Sequence, residues 1–152
     1  VLRPCHIYGP GSKLGCLPTH SRDEELIDRL RRGEALQLVG GGYFLQQPIL
    51  ARDLANVILS CAGNDAAHGE IFLAAGPDVI ESWSYYKIIA DALGVGLTVE
   101  ELPVRPFLAE NPNADRFLCH RFYDRTKSAE AGLYLPDTPI EVGLREHVGS
   151  LL

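Results

Sequence analysis

No run of apolar residues in this sequence comes near the roughly 18 that cross a bilayer, so no segment reads as a membrane span. The opening residues lack the pattern of a secretory signal. Cysteine is sparse: Cys5, Cys16, Cys61 and Cys119, with no Cys-x-x-Cys pair among them. They are expected to be reduced thiols of a cytoplasmic protein, not a disulfide frame. Cys16 with His20, and Cys119 beside His120, match no zinc spacing, so no metal site is expected. Positive charge is also short. The chain has 14 Lys and Arg against 20 Asp and Glu, for a net charge of −6. That argues against a protein built to grip phosphate backbones, which shows a basic face. There is no internal repeat and no low-complexity tract.

What is present is a globular composition, with 46% hydrophobic and 22% charged residues over 152 positions. A chain this long buries roughly 70% of the surface it exposes unfolded, so it needs no staple to hold a core. No linker divides it, and residues 1–152 are expected to act as one unit. The chain opens on Val1, and residues 1–7 already read as a buried strand in need of neighbours. The expectation is a C-terminal part of a longer protein.

Punctuation and periodicity predict the elements. Tyr8-Gly9-Pro10-Gly11 breaks the first strand, and a loop follows to about Thr19. Ser21-Arg22-Asp23-Glu24 reads as a capping box ahead of Leu26, Ile27 and Leu30, with Gly33 closing that helix. Residues 36–39 read as a strand, Gly40-Gly41-Gly42 as a turn and residues 43–50 as a second extended segment, which together suggest a small hairpin. Asp53 is expected to cap a helix that is apolar nearly all round and therefore buried. Residues 70–75 read as a strand. Ser82 is expected to cap a helix that carries Trp83, Tyr86, Ala90 and Leu93 and stops at Gly94. Residues 97–102 read as a strand, and residues 103–113 as irregular or a short helix followed by a loop. Asp124 should open a helix ending at Gly132. Thr138-Pro139-Ile140-Glu141 reads as a second capping box before a last helix lined by Ile140, Leu144, Val148 and Leu151. The class is α/β.

Three segments, in register, resemble one family. Leu2-Arg3-Pro4-Cys5-His6-Ile7-Tyr8-Gly9-Pro10-Gly11 is similar to a strand ending in R-P-x-x-[IV]-Y-G-P-G. Gly40-Gly41-Gly42 through Arg52-Asp53-Leu54-Ala55 is similar to a G-x-G…[VR]-D-[LV]-A segment. Asp124 with Lys127, then Gly132 and Pro136, is similar to a closing D-x-x-K…G-[WY]-x-P pattern. Together they resemble the C-terminal part of an extended short-chain dehydrogenase/reductase, the NAD-dependent epimerase/dehydratase family. The resemblance implies a Rossmann-like α/β fold with parallel strands and packed helices. It implies NAD or NADP as cofactor, mostly held by an N-terminal part, and a small-molecule substrate such as a nucleotide sugar. Pro4, Cys5 and His6 would border the nicotinamide. His6, Tyr8, Phe44, Gln46 and Arg116 would meet substrate, with Arg116 the anion binder and Arg105 a further pocket candidate. Arg3 would be structural, paired with a carboxylate. A homo-oligomer is left open.

The same resemblance marks what is absent. No G-x-x-G-x-x-G fingerprint, whose glycines seat a pyrophosphate on a helix N-terminus, occurs in the chain. Tyr123 and Lys127 fit Y-x-x-x-K, but they lie at the wrong end for the family's catalytic pair, and Lys127 belongs to the closing pattern. The chain is therefore expected to be inactive alone, with no catalytic residue of its own. Where nucleotide-sugar members place an Arg, Gln46 and Gln47 stand here; an amide hydrogen-bonds phosphate without charge or a bidentate fork.

Two rival readings go with these residues. One is a non-catalytic RNA-binding protein of the same fold, similar to chloroplast stem-loop-binding proteins. It would use Arg116, His120, Arg121, Arg125 and Lys127 beside Phe117, Phe122 and Tyr123. The acidic balance weighs against nucleic acid. The other is a regulatory fragment docking through the open edge of the first strand.

Overall fold

The computed structural model describes residues 1–152. Its strands form four separate two-stranded pairs, three of them parallel, interleaved with helices. The class is the expected α/β. No helix is long and apolar enough to cross a membrane.

The opening segment is not one strand. Strand β1 (Leu2–Pro4) runs parallel to β6 (Phe72–Ala74), whereas β2 (Ile7–Tyr8) runs parallel to β5 (Ile49–Leu50). It is also less buried than expected: Val1 is 75% exposed, and Arg3 and Pro4 are exposed, because β1 has β6 as its sole partner. Arg3 finds no carboxylate there; no ion pair involves it.

The expected hairpin does not form. Strand β3 (Leu36–Val39) pairs in parallel with the distant β8 (Val99–Leu102), and β4 (Leu45–Gln46) pairs antiparallel with β7 (Ile80–Glu81). The glycine triplet explains the diversion. It makes a 3-10 turn in which Gly41 is left-handed (φ 64°), and a Cβ at Gly42 would lie 2.9 Å from the Trp83 backbone nitrogen. The turn thus passes tightly under the start of helix α3 (Ser82–Leu93) instead of returning along β3.

Helix α3 is the centre of the core. Ser82, Tyr85, Tyr86, Ile89 and Ala90 are its buried positions, the i, i+3, i+4, i+7, i+8 stripe of an amphipathic helix. Trp83 falls off that stripe and is 39% exposed. Gly94 ends the helix in the left-handed conformation, as its sequence predicts. Helix α6 (Ile140–Gly149) packs against α3 with the same stripe, Ile140, Gly143, Leu144, His147 and Val148. Leu14, Cys16, Leu36, Leu38 and, from α1 (Leu26–Arg31), Leu26 and Leu30 complete the cluster. Full burial of such side chains contributes about 1.5–3 kcal/mol each. The Tyr86 hydroxyl, buried among them, accepts from the Cys16 amide (2.9 Å) and donates to the Cys16 carbonyl (3.0 Å), which fixes the loop before α1.

Helix caps depart from the local motifs. Arg22 is left-handed (φ 55°), so Ser21 cannot cap, and the Asp23 carboxylate accepts from the Glu25 amide instead (2.9 Å). Ser82 lies inside α3 and its hydroxyl donates to the Phe44 carbonyl. At α6 the Ile140 amide donates to Asp78, 62 residues away, at 2.7 Å. Helix α2 (Ala51–Cys61) buries one face only: Asp53 and Val57 are its buried residues, while Ile58 and Leu59 are 54% and 70% exposed. Asp53 does not cap it. Its carboxylate accepts from the Tyr134 hydroxyl (3.3 Å) and from the amide and hydroxyl of Thr138 (3.3 and 3.1 Å), tying the closing segment to α2. Asp124, by contrast, accepts from the amide and hydroxyl of Thr126 at the start of α5 (Thr126–Glu130), close to its expected place. Residues 103–113 include the short helix α4 (Val104–Glu110).

Candidate functional site

The chain changes strand partner between β1 and β2. The Cys5 amide still donates to the Ala74 carbonyl of β6 (3.1 Å), and the His6 carbonyl already accepts from Ile49 of β5 (2.8 Å). A cleft opens where the two pairs part. It encloses about 240 Å³ between Pro4, Cys5, His6, Leu17, Gln46, Gln47, Arg121 and Tyr123. A second hollow of about 700 Å³ shares Cys5, His6 and Leu17 with it and is walled by the Gly9–Ser12 turn, Lys13 and Arg22. In open α/β folds ligands bind in the crevice beyond the carboxyl ends of parallel strands, at such a divergence.

Gln47 holds this cleft together. Its buried amide nitrogen donates to the Gly76 carbonyl (2.7 Å), and its amide oxygen accepts from the Tyr123 amide (2.6 Å). Two further bonds seat residues 120–123 along β4: the Arg121 amide donates to the Leu45 carbonyl (2.9 Å), and the Leu45 amide to His120 Nδ1 (3.2 Å). Arg121, 75 positions after Gln46 in the chain, is thereby brought to the same wall. The Cys5 thiol donates to the Gln47 carbonyl, and burial pushes its pKa up to about 11, so it stays protonated at neutral pH. His6 packs edge-on against Tyr85, ring centroids 5.7 Å apart. Burial first, then the positive charges of Arg121 and Arg22, bring its pKa down to about 4, so it is a neutral imidazole at neutral pH.

The expected site residues part company here. Pro4, Cys5, His6 and Gln46 meet in the cleft. Tyr8 is 2% exposed; its ring lies edge-on to Tyr85 and stacked with His147, and its hydroxyl sits against Gly143 of α6. Phe44 is also buried, stacked on Tyr43 at 4.5 Å with His120 at 6.0 Å, away from the lining of the cleft. Arg116 lines a separate surface hollow with Leu17, Pro18 and Phe107, its Nε donating to the Asn113 carbonyl. Arg121 takes the position in the cleft that sequence reasoning offered to Arg116. Nothing local in the sequence marks it for the cleft, because three long-range hydrogen bonds to residues 120–123 place the loop that carries it.

His147 belongs to no motif; its place on the apolar stripe of α6 is the signal that could have found it. Its Nδ1 accepts from the Gly9 amide (3.2 Å) and its Nε2 donates to the Ser12 carbonyl (2.8 Å), pinning the Gly-Pro-Gly turn to α6. Burial lowers its pKa.

The basic set of the RNA-binding reading does not form one face. Arg116 and Arg121 do share the Phe117 ring, at 5.1 and 5.9 Å from its centroid, but Lys127 pairs with Glu70 (2.8 Å) over the Phe72 ring and Arg125 donates to the Pro136 carbonyl. Lys127 is thus engaged away from Tyr123.

No protein-family profile matches the chain, and no curated protein does. Solved structures do. The chain is similar to UDP-glucose 4-epimerase of Thermotoga maritima, solved with UDP-glucose, at TM-score 0.72 and 19% identity over 98% of this chain and 44% of that one. UDP-N-acetylglucosamine 4-epimerase of Methanobrevibacter ruminantium, in complex with UDP-N-acetylmuramic acid, gives 0.74 and 21% over 98% and 44%. The Bordetella bronchiseptica enzyme WbmF, in complex with NAD+ and UDP, gives 0.69 and 23% over 98% and 43%. These likenesses establish the fold: that of the C-terminal part of these UDP-sugar epimerase structures. The chain spans less than half the length of the structures it matches.

Proposed function

We propose that this chain forms the substrate-binding part of an NAD(P)-dependent sugar-nucleotide epimerase or dehydratase, or of a related reductase, and that it is inactive by itself. The observation that carries the reading is the strand divergence at Cys5–His6 with a cleft in it. The solved structures of like fold, two of them with a UDP-sugar bound, support the substrate class.

The residues of the strand end suit the border of a nicotinamide. Pro4 is uncharged, the Cys5 thiol is protonated and committed to Gln47, and His6 is neutral, so none adds a charge or a competing nucleophile beside the ring. When bound, the cofactor supplies hydride transfer. The chain's own residues orient the substrate. His6 presents a neutral ring with one donor and one acceptor nitrogen, Gln46 and Arg121 present donors, and Gln47 keeps the walls in register. The chain lacks both the glycine fingerprint and a Tyr–Lys pair at the cleft, which supports inactivity alone.

The test is titration of the isotope-labelled chain with UDP-glucose, followed by NMR, together with an NAD(P)H absorbance assay. Saturable shifts at His6 and Tyr123 without turnover are expected. Turnover by the purified chain would refute the inactivity, and an unmoved His6 at millimolar ligand would refute the substrate role.

A further inference from the structure

The Gly9–Ser12 turn is tied to the body of the fold by the hydrogen bonds of one side chain. His147 of α6 is fully buried, and it grips both ends of the turn: Nδ1 accepts from the Gly9 amide and Nε2 donates to the Ser12 carbonyl. The turn's other loop hydrogen bonds run within it, the Ser12 amide and hydroxyl both donating to the Gly9 carbonyl (3.2 and 2.8 Å). The turn is therefore built to move as a unit. Gly9 (φ 143°) and Gly11 (φ 85°) hold conformations open to glycine on either side of Pro10, whose ring fixes its own φ. Pro10, Gly11 and Ser12 are exposed, whereas Gly9 is buried beside Leu50.

The clasp admits one protonation state. A backbone amide only donates and a carbonyl only accepts, so Nδ1 must be bare and Nε2 must carry the hydrogen. A second proton has only Nδ1 to occupy, where it faces the Gly9 N–H from 3.2 Å, donor against donor. No carboxylate pairs with His147 to offset the charge. On α6 itself Glu146 is turned to Arg52 of α2 (3.0 Å) and Glu141 to Arg145 (3.0 Å). Asp53 of α2 is taken up by Thr138 and Tyr134, Asp78 by the Ile140 amide, and Lys13 by Glu24. Strand β2 offers the Tyr8 phenol and α3 those of Tyr85 and Tyr86, all kept protonated by burial. His6, the other imidazole of this region, repels His147 when both are charged.

We infer that His147 is a proton-operated latch, which clasps the Gly9–Ser12 turn to α6 while uncharged and frees its Gly9 end on protonation at Nδ1. What the latch controls is the wall of the hollow of about 700 Å³ that His6 also lines. The Ser12 carbonyl accepts from a charged ring as readily as from a neutral one, so the turn swings about that end. Burial holds the clasped ring below its ordinary pKa, against the pull of the Ser12 carbonyl, and a freed, hydrated ring returns toward about 6.5. The released state thus binds the proton more tightly, and acid favours release by about tenfold per pH unit between that value and the clasped one. The latch stands whatever the cleft binds.

The experiment uses the full chain labelled with nitrogen-15. Imidazole NMR spectra at about pH 7.5 should show His147 as the Nε2–H tautomer, and a proton on Nδ1 there would overturn the latch. Hydrogen exchange of the backbone amides is then followed down to about pH 5, as protection relative to the intrinsic rate. Gly9 should exchange well ahead of Ile89 and Ala90 of α3, which open only with the whole domain. Its protection should fall about tenfold per pH unit below about pH 6.5. A Gly9 protection that stays flat overturns the latch. So does a Gly9 that exchanges together with Ile89 and Ala90 at every pH, since the turn would then be freed by global unfolding alone. His147→Asn offers Gly9 an oxygen acceptor that does not titrate, and should remove the fall; an unchanged slope in that variant contradicts the latch. His6→Asn tests the other imidazole, and the Gly9 response should persist in it. Loss of the response in His6→Asn would assign the proton to His6 and overturn the role of His147.

Discussion

Replacing Gln47 by Leu should cost the protein more than any other single polar change near the cleft. The side chain is 5% exposed, and its two bonds, to the Gly76 carbonyl at 2.7 Å and from the Tyr123 amide at 2.6 Å, join three segments far apart in sequence. Leu fills a similar volume but leaves one carbonyl and one N–H without a partner. At about 1–3 kcal/mol for each unsatisfied buried group, the expected loss is about 2–6 kcal/mol. Against a total stability of roughly 5–15 kcal/mol, that is a large fraction. For a domain of this size each kcal/mol moves Tm by about 2–4 °C, so a fall of roughly 4–24 °C is expected. Urea unfolding followed by far-UV circular dichroism measures it directly, the midpoint falling with little change in slope. The effect should also reach the site, because residues 120–123 carry Arg121 into the cleft and Gln47 is one of their tethers. Tyr123 and Arg121 amides should therefore exchange with deuterium faster in the variant than in the parent. A loss below about 1 kcal/mol, or unchanged exchange at residues 121 and 123, would show that Gln47 does not hold the cleft together.

Acid should destabilise the protein well before its carboxylates titrate. His6 is held at about 4 in the folded chain against an ordinary value near 6.5, so the unfolded state binds the extra proton first. Stability should fall as pH drops below about 6.5 and level off below about 4, with His6 contributing about 2 kcal/mol between roughly pH 7 and pH 5; His147 acts in the same direction. Urea midpoints across that range check this, and a His6→Asn variant with an undiminished slope would contradict it. Gly143→Ala puts a Cβ 2.3 Å from the Tyr8 hydroxyl oxygen and should cost about 1–3 kcal/mol. Tyr8→Phe should recover part of that loss, and equal costs in both backgrounds would show that the contact is not the cause.

The α/β class, the helices at residues 82–93 and 140–149 and the left-handed glycine at 94 follow from periodicity and punctuation, because each depends on neighbours within a few turns of the chain, whereas Pro4, Cys5 and His6 are marked only by the family resemblance. The tertiary structure decided the rest, because those features depend on partners no local window contains. Leu36–Val39 passed over the nearby segment for Val99–Leu102, since the tight glycine turn aims the chain under α3. Asp53 gave up its own helix end for Thr138 and Tyr134, and Asp78 capped α6 from across the fold. Arg121 replaced Arg116 in the cleft because backbone hydrogen bonds to Leu45 and Gln47 carry a loop there. Sequence pattern fixes which face of an element is apolar; which distant polar group completes its hydrogen bonds is settled only when the faces pack.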